Sequence, residues 1–158
     1  MIFLRSILIT LALLSFAVLA MGQTSKTLRV KFGKPSKTDA GVEMYDISPR
    51  IQMTVKYASN GEACEVEIRQ NGLFGIDRVD MNRRIDRIVS DIVPLSKRGK
   101  RIPNHYGRAE NCITSHNDEY ESVLITYFEQ PCGDSYQLIT VRWKKRTCIS
   151  TPPLQPKK

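Results

Sequence analysis

Four cysteines are the residues of this chain with the clearest chemical meaning, and no two of them are spaced as a CxxC pair. They are Cys64, Cys112, Cys132 and Cys148. An even number of cysteines in an exported protein is typical of disulfides, and four of them allow three pairings. His105, Cys112 and His116 do not match a known zinc-binding spacing. Two disulfides are therefore predicted, and neither a metal nor a cofactor is.

The two histidines are the candidates for acid–base chemistry, because imidazole can accept and return a proton near neutral pH. His116 lies close in sequence to Ser115, Asp118 and Glu119. Closeness in sequence does not orient a catalytic triad, and the chain has no Gly-x-Ser-x-Gly motif. Two exposed loop histidines are thus the simpler interpretation, and no catalytic residue is assigned. A small secreted hydrolase that uses His105 or His116 with a carboxylate is the alternative function.

Positive charge marks a third candidate site, since the chain carries a formal net charge of +8. One basic segment contains Lys97, Arg98, Lys100 and Arg101, and a second contains Arg142, Lys144, Lys145 and Arg146. If the two segments shared one face, that face would bind an anionic polymer or an acidic envelope component. Two unrelated solvated segments are the other interpretation. Trp143 is the only aromatic residue of the second segment, so no specific nucleic-acid binding is predicted.

The amino-terminal residues predict that the chain is exported. Arg5 precedes an apolar run from Ile7 to Leu19, and the small residues Ala20 and Gly22 fit cleavage before Gln23. Cleavage before Met21 is the alternative. The run is shorter than the roughly 20 apolar residues that span a bilayer. Residues 1–22 are therefore predicted to be a signal peptide, with no transmembrane segment after cleavage and a secreted or periplasmic location. Loss of Arg5 changes the formal net charge from +8 to +7.

Strands dominate the predicted structure of the remaining chain. Residues 23–149 are predicted to form one domain, and the Pro- and Lys-rich residues 150–158 a flexible tail. Apolar and polar residues alternate over 28–32, 51–57, 64–69, 123–128 and 139–144, which is the period of half-buried strands. Asn60-Gly61 predicts a hairpin over residues 51–70, with Cys64 among its core-facing residues.

One amphipathic helix is predicted after the hairpin. Asp77 is suited to cap it, and Pro94 ends it. Its apolar stripe consists of Met81, Ile85, Ile88, Val89 and Ile92. Residues 94–119 show no periodicity and are predicted to form a long loop. The whole pattern predicts an α+β domain, in which an antiparallel sheet of four or five strands carries one helix on one face.

The stretch from Ile51 to Pro94 resembles the hairpin-then-helix unit of the TonB C-terminal domain family. The resemblance rests on the strand segments Val55–Tyr57 and Val66–Arg69, the Asn60-Gly61 turn, and the helix that runs to Val93-Pro94. It implies a related topology, and the function that accompanies this family is energy transduction to outer-membrane receptors.

The predicted layout also suggests a disulfide pairing. Neighbouring antiparallel strands place the start of one beside the end of the other. Cys112 precedes the strand at 123–128 and Cys148 follows the next one, so Cys112–Cys148 and Cys64–Cys132 are the predicted pairs. The leading functional prediction is a secreted or periplasmic, non-enzymatic binding or structural module. Its partner would be an anionic polymer, an envelope component, or a protein that adds a strand to the free sheet edge.

Overall fold

The computed structural model describes residues 23–71, 77–103, 107–110, 113–129 and 136–149. The predicted signal peptide, His105, Cys112, Cys132 and the predicted tail from residue 150 onward lie outside these ranges. Within them, no helix is both long enough and apolar enough to cross a bilayer.

Three helices and nine strands make up the described part of the chain. The helices are α1 (Ser25–Phe32), α2 (Arg78–Ile92) and α3 (Leu95–Arg98). The strands are β1 (Lys37–Asp39), β2 (Val42–Ser48), β3 (Ile51–Tyr57), β4 (Ala63–Gln70), β5 (Arg101–Ile102), β6 (Gly107–Glu110), β7 (Ile113–Tyr120), β8 (Val123–Glu129) and β9 (Tyr136–Trp143).

All nine described strands belong to one antiparallel sheet, with the order β1-β2-β3-β4-β9-β8-β7-β5. β6 pairs with β7 on the same side as β5. Two runs of neighbouring strands, β1–β4 and β5–β9, are joined where β4 pairs with β9. The prediction of an α+β domain with four or five strands and one helix is therefore wrong, because the structure is mostly sheet and its helices are few and short.

The predicted hairpin and the predicted helix are both confirmed. β3 and β4 pair antiparallel on either side of a loop that contains Asn60-Gly61, in which Gly61 has a positive φ of 77°. Asp77 caps α2 by accepting hydrogen bonds from the backbone N–H groups of Val79 and Asp80. The five residues of the predicted stripe are the buried residues of α2. They pack with the buried side chains of β2, β3, β4, β8 and β9 in one core on one face of the sheet.

The predicted strand over residues 28–32 is wrong, because these residues form α1. Leu28 and Phe32 are four residues apart, and this spacing places two side chains together on a helix as well as on a strand. Leu28 is fully buried and Phe32 packs against the core, whereas Val30 between them is 84% exposed. Thr24 caps the helix by accepting a hydrogen bond from the N–H of Thr27.

Residues 33–50, which show no pattern in the sequence, contain β1 and β2. Ala40 and Gly41, both with positive φ, form the two-residue turn between the paired residues Asp39 and Val42. The fully core-facing positions of β2 are Glu43 and Tyr45. A carboxylate at a core position interrupts the apolar alternation, which explains why the strand escapes prediction.

The predicted loop over residues 94–119 is also wrong, because it contains α3, β5, β6 and most of β7. On the helix-covered side of the sheet, β7 places His116 opposite Tyr127 and Asp118 opposite Ile125. These β7 positions are polar and only partly buried, so the strand has no apolar periodicity in the sequence.

A buried carboxylate fastens α1 to the sheet. Glu43 is 4% exposed and accepts hydrogen bonds from the hydroxyl groups of Ser25, Tyr45 and Tyr57, at 2.8, 2.6 and 2.6 Å. Arg29 of α1 donates to it from both Nε and a terminal nitrogen, at 3.0 and 2.5 Å. Burial alone would raise the pKa of Glu43, but these hydrogen bonds lower it from 4.5 to about 2. Burial and the bond to Glu43 raise the pKa of Tyr45 to about 12.

Replacing this carboxylate should destabilise the fold in a pH-dependent manner. The lowered pKa of Glu43 contributes about 3 kcal/mol of stability above pH 4.5, which is lost as the pH falls towards 2. Glu43→Gln should lower the free energy of unfolding by about 2–4 kcal/mol at pH 7. In urea titrations, the difference between the parent protein and this variant should shrink between pH 5 and pH 2.

Asp91→Asn is the matched control, because Asp91 forms an exposed salt bridge with Lys31. It should cost less than about 0.5 kcal/mol. A Glu43→Gln effect of that small size, or one that does not depend on pH, would contradict the assignment.

The disulfide pairing predicted from the strand layout is wrong, because Cys64 is joined to Cys148, with 5.4 Å between the Cα atoms. The predicted pairing rests on β8 as the neighbour of β9, the strand that precedes Cys148. In the structure β9 also pairs with β4, the strand that contains Cys64. Glu65 lies opposite Arg142, and after β9 the chain turns back so that Cys148 bridges Ala58 beside Cys64. With these two cysteines joined, Cys112 and Cys132 are the two left for a second cross-link.

Peptide mapping of the unreduced protein should find a fragment in which Cys64 and Cys148 are linked. The Cys64→Ala/Cys148→Ala variant should lower the free energy of unfolding by about 2–4 kcal/mol, because the bond closes a loop of 84 residues in the unfolded chain. A fragment that links Cys64 to Cys132 would contradict the structure.

Candidate functional site

One face of the sheet points away from the core, and we call it the open face. Side chains alternate along a strand, so the neighbours of core residues project to this side. On the central strands they are Gln52, Thr54, Lys56, Glu65, Glu67, Arg69, Leu124, Thr126, Phe128, Leu138, Thr140 and Arg142. An antiparallel sheet with one solvated face is expected to be polar there. The polar members of this set thus need no functional explanation, whereas the apolar members do.

The apolar open-face residues of the central strands lie together. Phe128 of β8 is directly opposite Leu138 of β9, and Leu124 lies four residues before Phe128 on the same strand. All three are partly exposed. Leu124 and Phe128 line a shallow depression of roughly 190 Å³, which we call the open-face depression. Its lining residues are Leu124, Thr126, Phe128, Thr140 and Arg142.

A charged network lies at one side of the depression. Arg142 donates from Nε and a terminal nitrogen to Oε2 of Glu65, at 2.8 and 2.6 Å. Lys56 donates to the other oxygen of Glu65 at 2.6 Å and lies 3.5 Å from Glu67. Burial favours a higher pKa for Glu65, but the hydrogen bonds from Lys56 and Arg142 outweigh it and lower the pKa. The same contact with Glu65 raises the pKa of Lys56. Glu65 therefore stays ionised and orients Arg142.

Another open-face residue, Asn117, lies opposite Thr126 of the depression. Its Oδ1 is buried and has no hydrogen-bond donor among the described residues. An unsatisfied buried oxygen costs about 1–3 kcal/mol. The open face thus contains a polar group that accepts no hydrogen bond from the part of the chain that the structure describes.

The predicted cationic residues meet only in part. Ser122, in the β7–β8 turn, donates from its hydroxyl to the carbonyl groups of Lys97 and Arg98, and its backbone carbonyl accepts from the N–H of Lys144. The N–H of Lys100 donates to Glu121 in the same turn. The two basic segments therefore do approach each other at one end of the sheet.

Their charged groups do not form one uninterrupted cationic face. Arg98 is buried, donates to the carbonyl of Val93 and lies over the Tyr120 ring, with 5.4 Å to the centroid. The other paired cations contact acidic residues: Arg101 with Asp118 at 2.6 Å, Lys144 with Glu119 at 2.6 Å, Arg146 with Glu62 at 3.3 Å, and Arg142 with Glu65. Arg101 lies on the helix-covered side and Arg142 on the open face.

His116 lies on strand β7 and has a different acidic partner from those expected. Its Nδ1 is 3.5 Å from a carboxylate oxygen of Glu129, across the β7–β8 pair. Its ring stacks on Tyr127, with 4.6 Å between the centroids. The pleat directs Ser115 and Glu119, its neighbours in sequence, to the open face. The sequence alone does not indicate Glu129, because its distance from His116 depends on the register between β7 and β8.

Further acidic groups lie on the same side as His116. Burial raises the pKa of Asp86 on α2; the charge of Asp118 acts in the same direction, and Arg98 opposes it. Burial also raises the pKa of Tyr127 and Tyr136. Among the described residues, no three side chains of the metal-binding types lie close enough together to hold an ion.

The described strands at the edges of the sheet are short. β1, at one edge, has only three residues, all of them exposed. At the other edge, β5 and β6 both pair with β7 and cover its outer side in succession. Short edge strands are a common protection against pairing with another chain.

Comparison with known proteins identifies no family. The sequence matches no protein-family model and no curated protein sequence. A solved structure with some likeness is YjgB, a DUF4309 family protein from Bacillus subtilis subsp. subtilis strain 168. It is 9% identical, the match covers 77% of this chain and 78% of that one, and the TM-score is 0.43. A TM-score under 0.5 does not establish a shared fold. The resemblance of residues 51–94 to the TonB C-terminal domain family stays a prediction.

The contact between Glu65 and Arg142 can be tested by a double-mutant cycle. Glu65→Gln and Arg142→Gln should each destabilise the protein, and the double variant should lose less than the sum of the two. We expect a coupling energy of about 1 kcal/mol, because Arg142 is more than half exposed. Denaturant unfolding at low ionic strength measures it, and a coupling near zero would contradict the contact.

Proposed function

We propose that this protein is a non-enzymatic binding module, which holds a segment of a partner protein on its open face. The observation that carries the proposal is the group of apolar side chains around the open-face depression, on central strands whose other open-face residues are polar. A buried apolar anchor surrounded by polar groups is typical of the energetic centre of a protein interface.

The size of the depression favours a protein partner over a small molecule. Pockets for small ligands usually have volumes of about 300–1,000 Å³ and enclose most of the ligand. The depression has roughly 190 Å³ and is shallow. It therefore suits one apolar side chain that projects from a partner lying across the sheet.

The lining of the depression favours binding over catalysis. Leu124, Thr126, Phe128 and Thr140 have no group that exchanges protons near neutral pH, and Arg142 remains protonated there. General acid–base catalysis needs a group whose pKa lies near the working pH. A ligand in this depression would accordingly be held rather than converted.

A displayed peptide library provides the test. The protein should enrich peptides that share an apolar residue, and Phe128→Ser should reduce their affinity at least tenfold, since it removes the apolar wall of the depression. Val30→Ser is the matched control, because Val30 is 84% exposed on α1, away from the open face, and it should leave affinity unchanged. Circular dichroism checks that both variants fold.

Three outcomes would reject this function: no enrichment, equal binding by Phe128→Ser, or amide chemical-shift changes confined to residues outside β8 and β9. Association of two copies through the open face would appear as a dimer in light scattering that Phe128→Ser disrupts. Salt-sensitive heparin retention that Phe128→Ser does not affect would instead favour an anionic polymer at the basic end of the sheet.

We also propose that the module acts outside the cytoplasm. The predicted signal peptide supports this location, and the disulfide between Cys64 and Cys148 fits an oxidising compartment. Amino-terminal sequencing of the protein produced with its leader should read from Gln23. An uncleaved Met1 in the exported protein would contradict the predicted leader.

A second candidate function is hydrolysis at His116. The distance of 3.5 Å between its Nδ1 and Glu129 favours it, because a carboxylate in that position orients an imidazole that acts as a base. Cleavage of p-nitrophenyl acetate or bis(p-nitrophenyl) phosphate that disappears in His116→Asn and persists in Phe128→Ser would support this candidate. The absence of such cleavage in the parent protein would exclude both model reactions.

A further inference from the structure

We propose that the partner segment carries an aspartate or glutamate side chain beside its apolar anchor, and that Arg142 binds this carboxylate. The inference rests on the proposed function, since it concerns the same depression. The partner is accordingly a peptide segment that contains both an acidic and an apolar residue.

The position and hydrogen bonding of Arg142 support this assignment. Its two described side-chain bonds go to a single oxygen of Glu65. A guanidinium has five N–H donors, and the other terminal nitrogen of Arg142 has no partner among the described residues. The side chain is 61% exposed and lines the depression. Donors on Arg142 are thus available where a bound segment would lie.

The charged network around Arg142 carries a net positive charge, which the carboxylate of a ligand would neutralise. Three cations, Lys56, Arg69 and Arg142, share the network with two carboxylates, Glu65 and Glu67. This leaves one positive charge in excess. The net charge of the whole chain is positive as well, which favours encounter with acidic partners.

Glu65 prepares Arg142 for this role. The Glu65 side chain is 9% exposed and lies between Lys56 and Arg142, so it cannot easily turn towards a ligand. It holds the guanidinium in place before binding, which reduces the entropy lost when a ligand carboxylate arrives. Lysine would lack the planar, forked donors that bind a carboxylate through two parallel hydrogen bonds.

The shape of the surface favours a side-chain carboxylate over the carboxyl terminus of the partner. The depression lies on a continuous sheet face that spans β8 and β9, and Leu124 and Phe128 extend it along β8. A segment can therefore pass across it, with its apolar residue in the depression and its acidic residue beside Arg142.

The test uses the peptide that binds best in the library experiment, made with an amidated carboxyl terminus. Its acidic residue is left unchanged or replaced by Gln or Lys, and each version is titrated against the parent protein, Arg142→Gln, Arg142→Lys and Arg142→Glu. Arg142→Gln should weaken binding of the unchanged peptide about tenfold, and Arg142→Lys less than that. Arg142→Glu should bind the Lys peptide better than the unchanged one.

Arg84→Gln is the matched control. Arg84 is 59% exposed and also contacts a carboxylate, that of Asp80, but it lies on α2. It should change affinity less than twofold. High salt should weaken binding to the parent protein more than binding to Arg142→Gln, because screening acts on the added ion pair.

The outcomes separate this inference from the proposed function. If Phe128→Ser abolishes binding and Arg142→Gln does not, the depression is the site and the carboxylate assignment is wrong. The same conclusion follows if the charge exchange fails, or if only a peptide with a free carboxyl terminus binds. If neither substitution changes binding, the proposed function is rejected together with the inference.

Discussion

The pairing of β4 with β9 is the interaction on which the rest of this structure depends. It joins two runs of antiparallel strands into one sheet, so that a single apolar core can form under α1 and α2. The same register places Glu65 opposite Arg142 and brings Cys148 beside Cys64. The core, the covalent cross-link and the candidate binding surface therefore share one structural cause.

Each face of this sheet has a buried carboxylate, and the two carboxylates differ in their surroundings. Glu43, on the core side, accepts hydrogen bonds from four side chains and is enclosed by them, so it fastens a helix. Glu65, on the open face, is equally shielded, but one of its partners remains more than half exposed. Arg29, the charged partner of Glu43, is 49% exposed, but it lies on α1 and not on the open face. Arg142 lines the open-face depression, and we propose that a partner uses its remaining donors.

Elements whose core positions are apolar could be predicted from the sequence, whereas elements with polar residues at core positions could not. The hairpin of β3 and β4, helix α2, and strands β8 and β9 were predictable because Val, Ile and Met repeat at the right spacing. β2 and β7 were not, because Glu43, His116 and Asp118 occupy inward positions there. The candidate site was hidden for another reason: Leu124 and Phe128 are ordinary strand residues until strand order shows which face has no helix. Contacts such as Glu65 with Arg142, 77 residues apart, require that order.

The covalent bond between Cys64 and Cys148 has a consequence for how the chain reaches this fold. Its two cysteines are separated by 84 residues. One side of β4 has no neighbouring strand until β9 has formed. Contacts between such distant segments form slowly, and an uncovered strand edge invites pairing with other chains in the meantime. The amino-terminal strands are thus expected to complete their folding only after β9 and Cys148 have been made. Once closed, the cross-link keeps that late-forming seam from reopening.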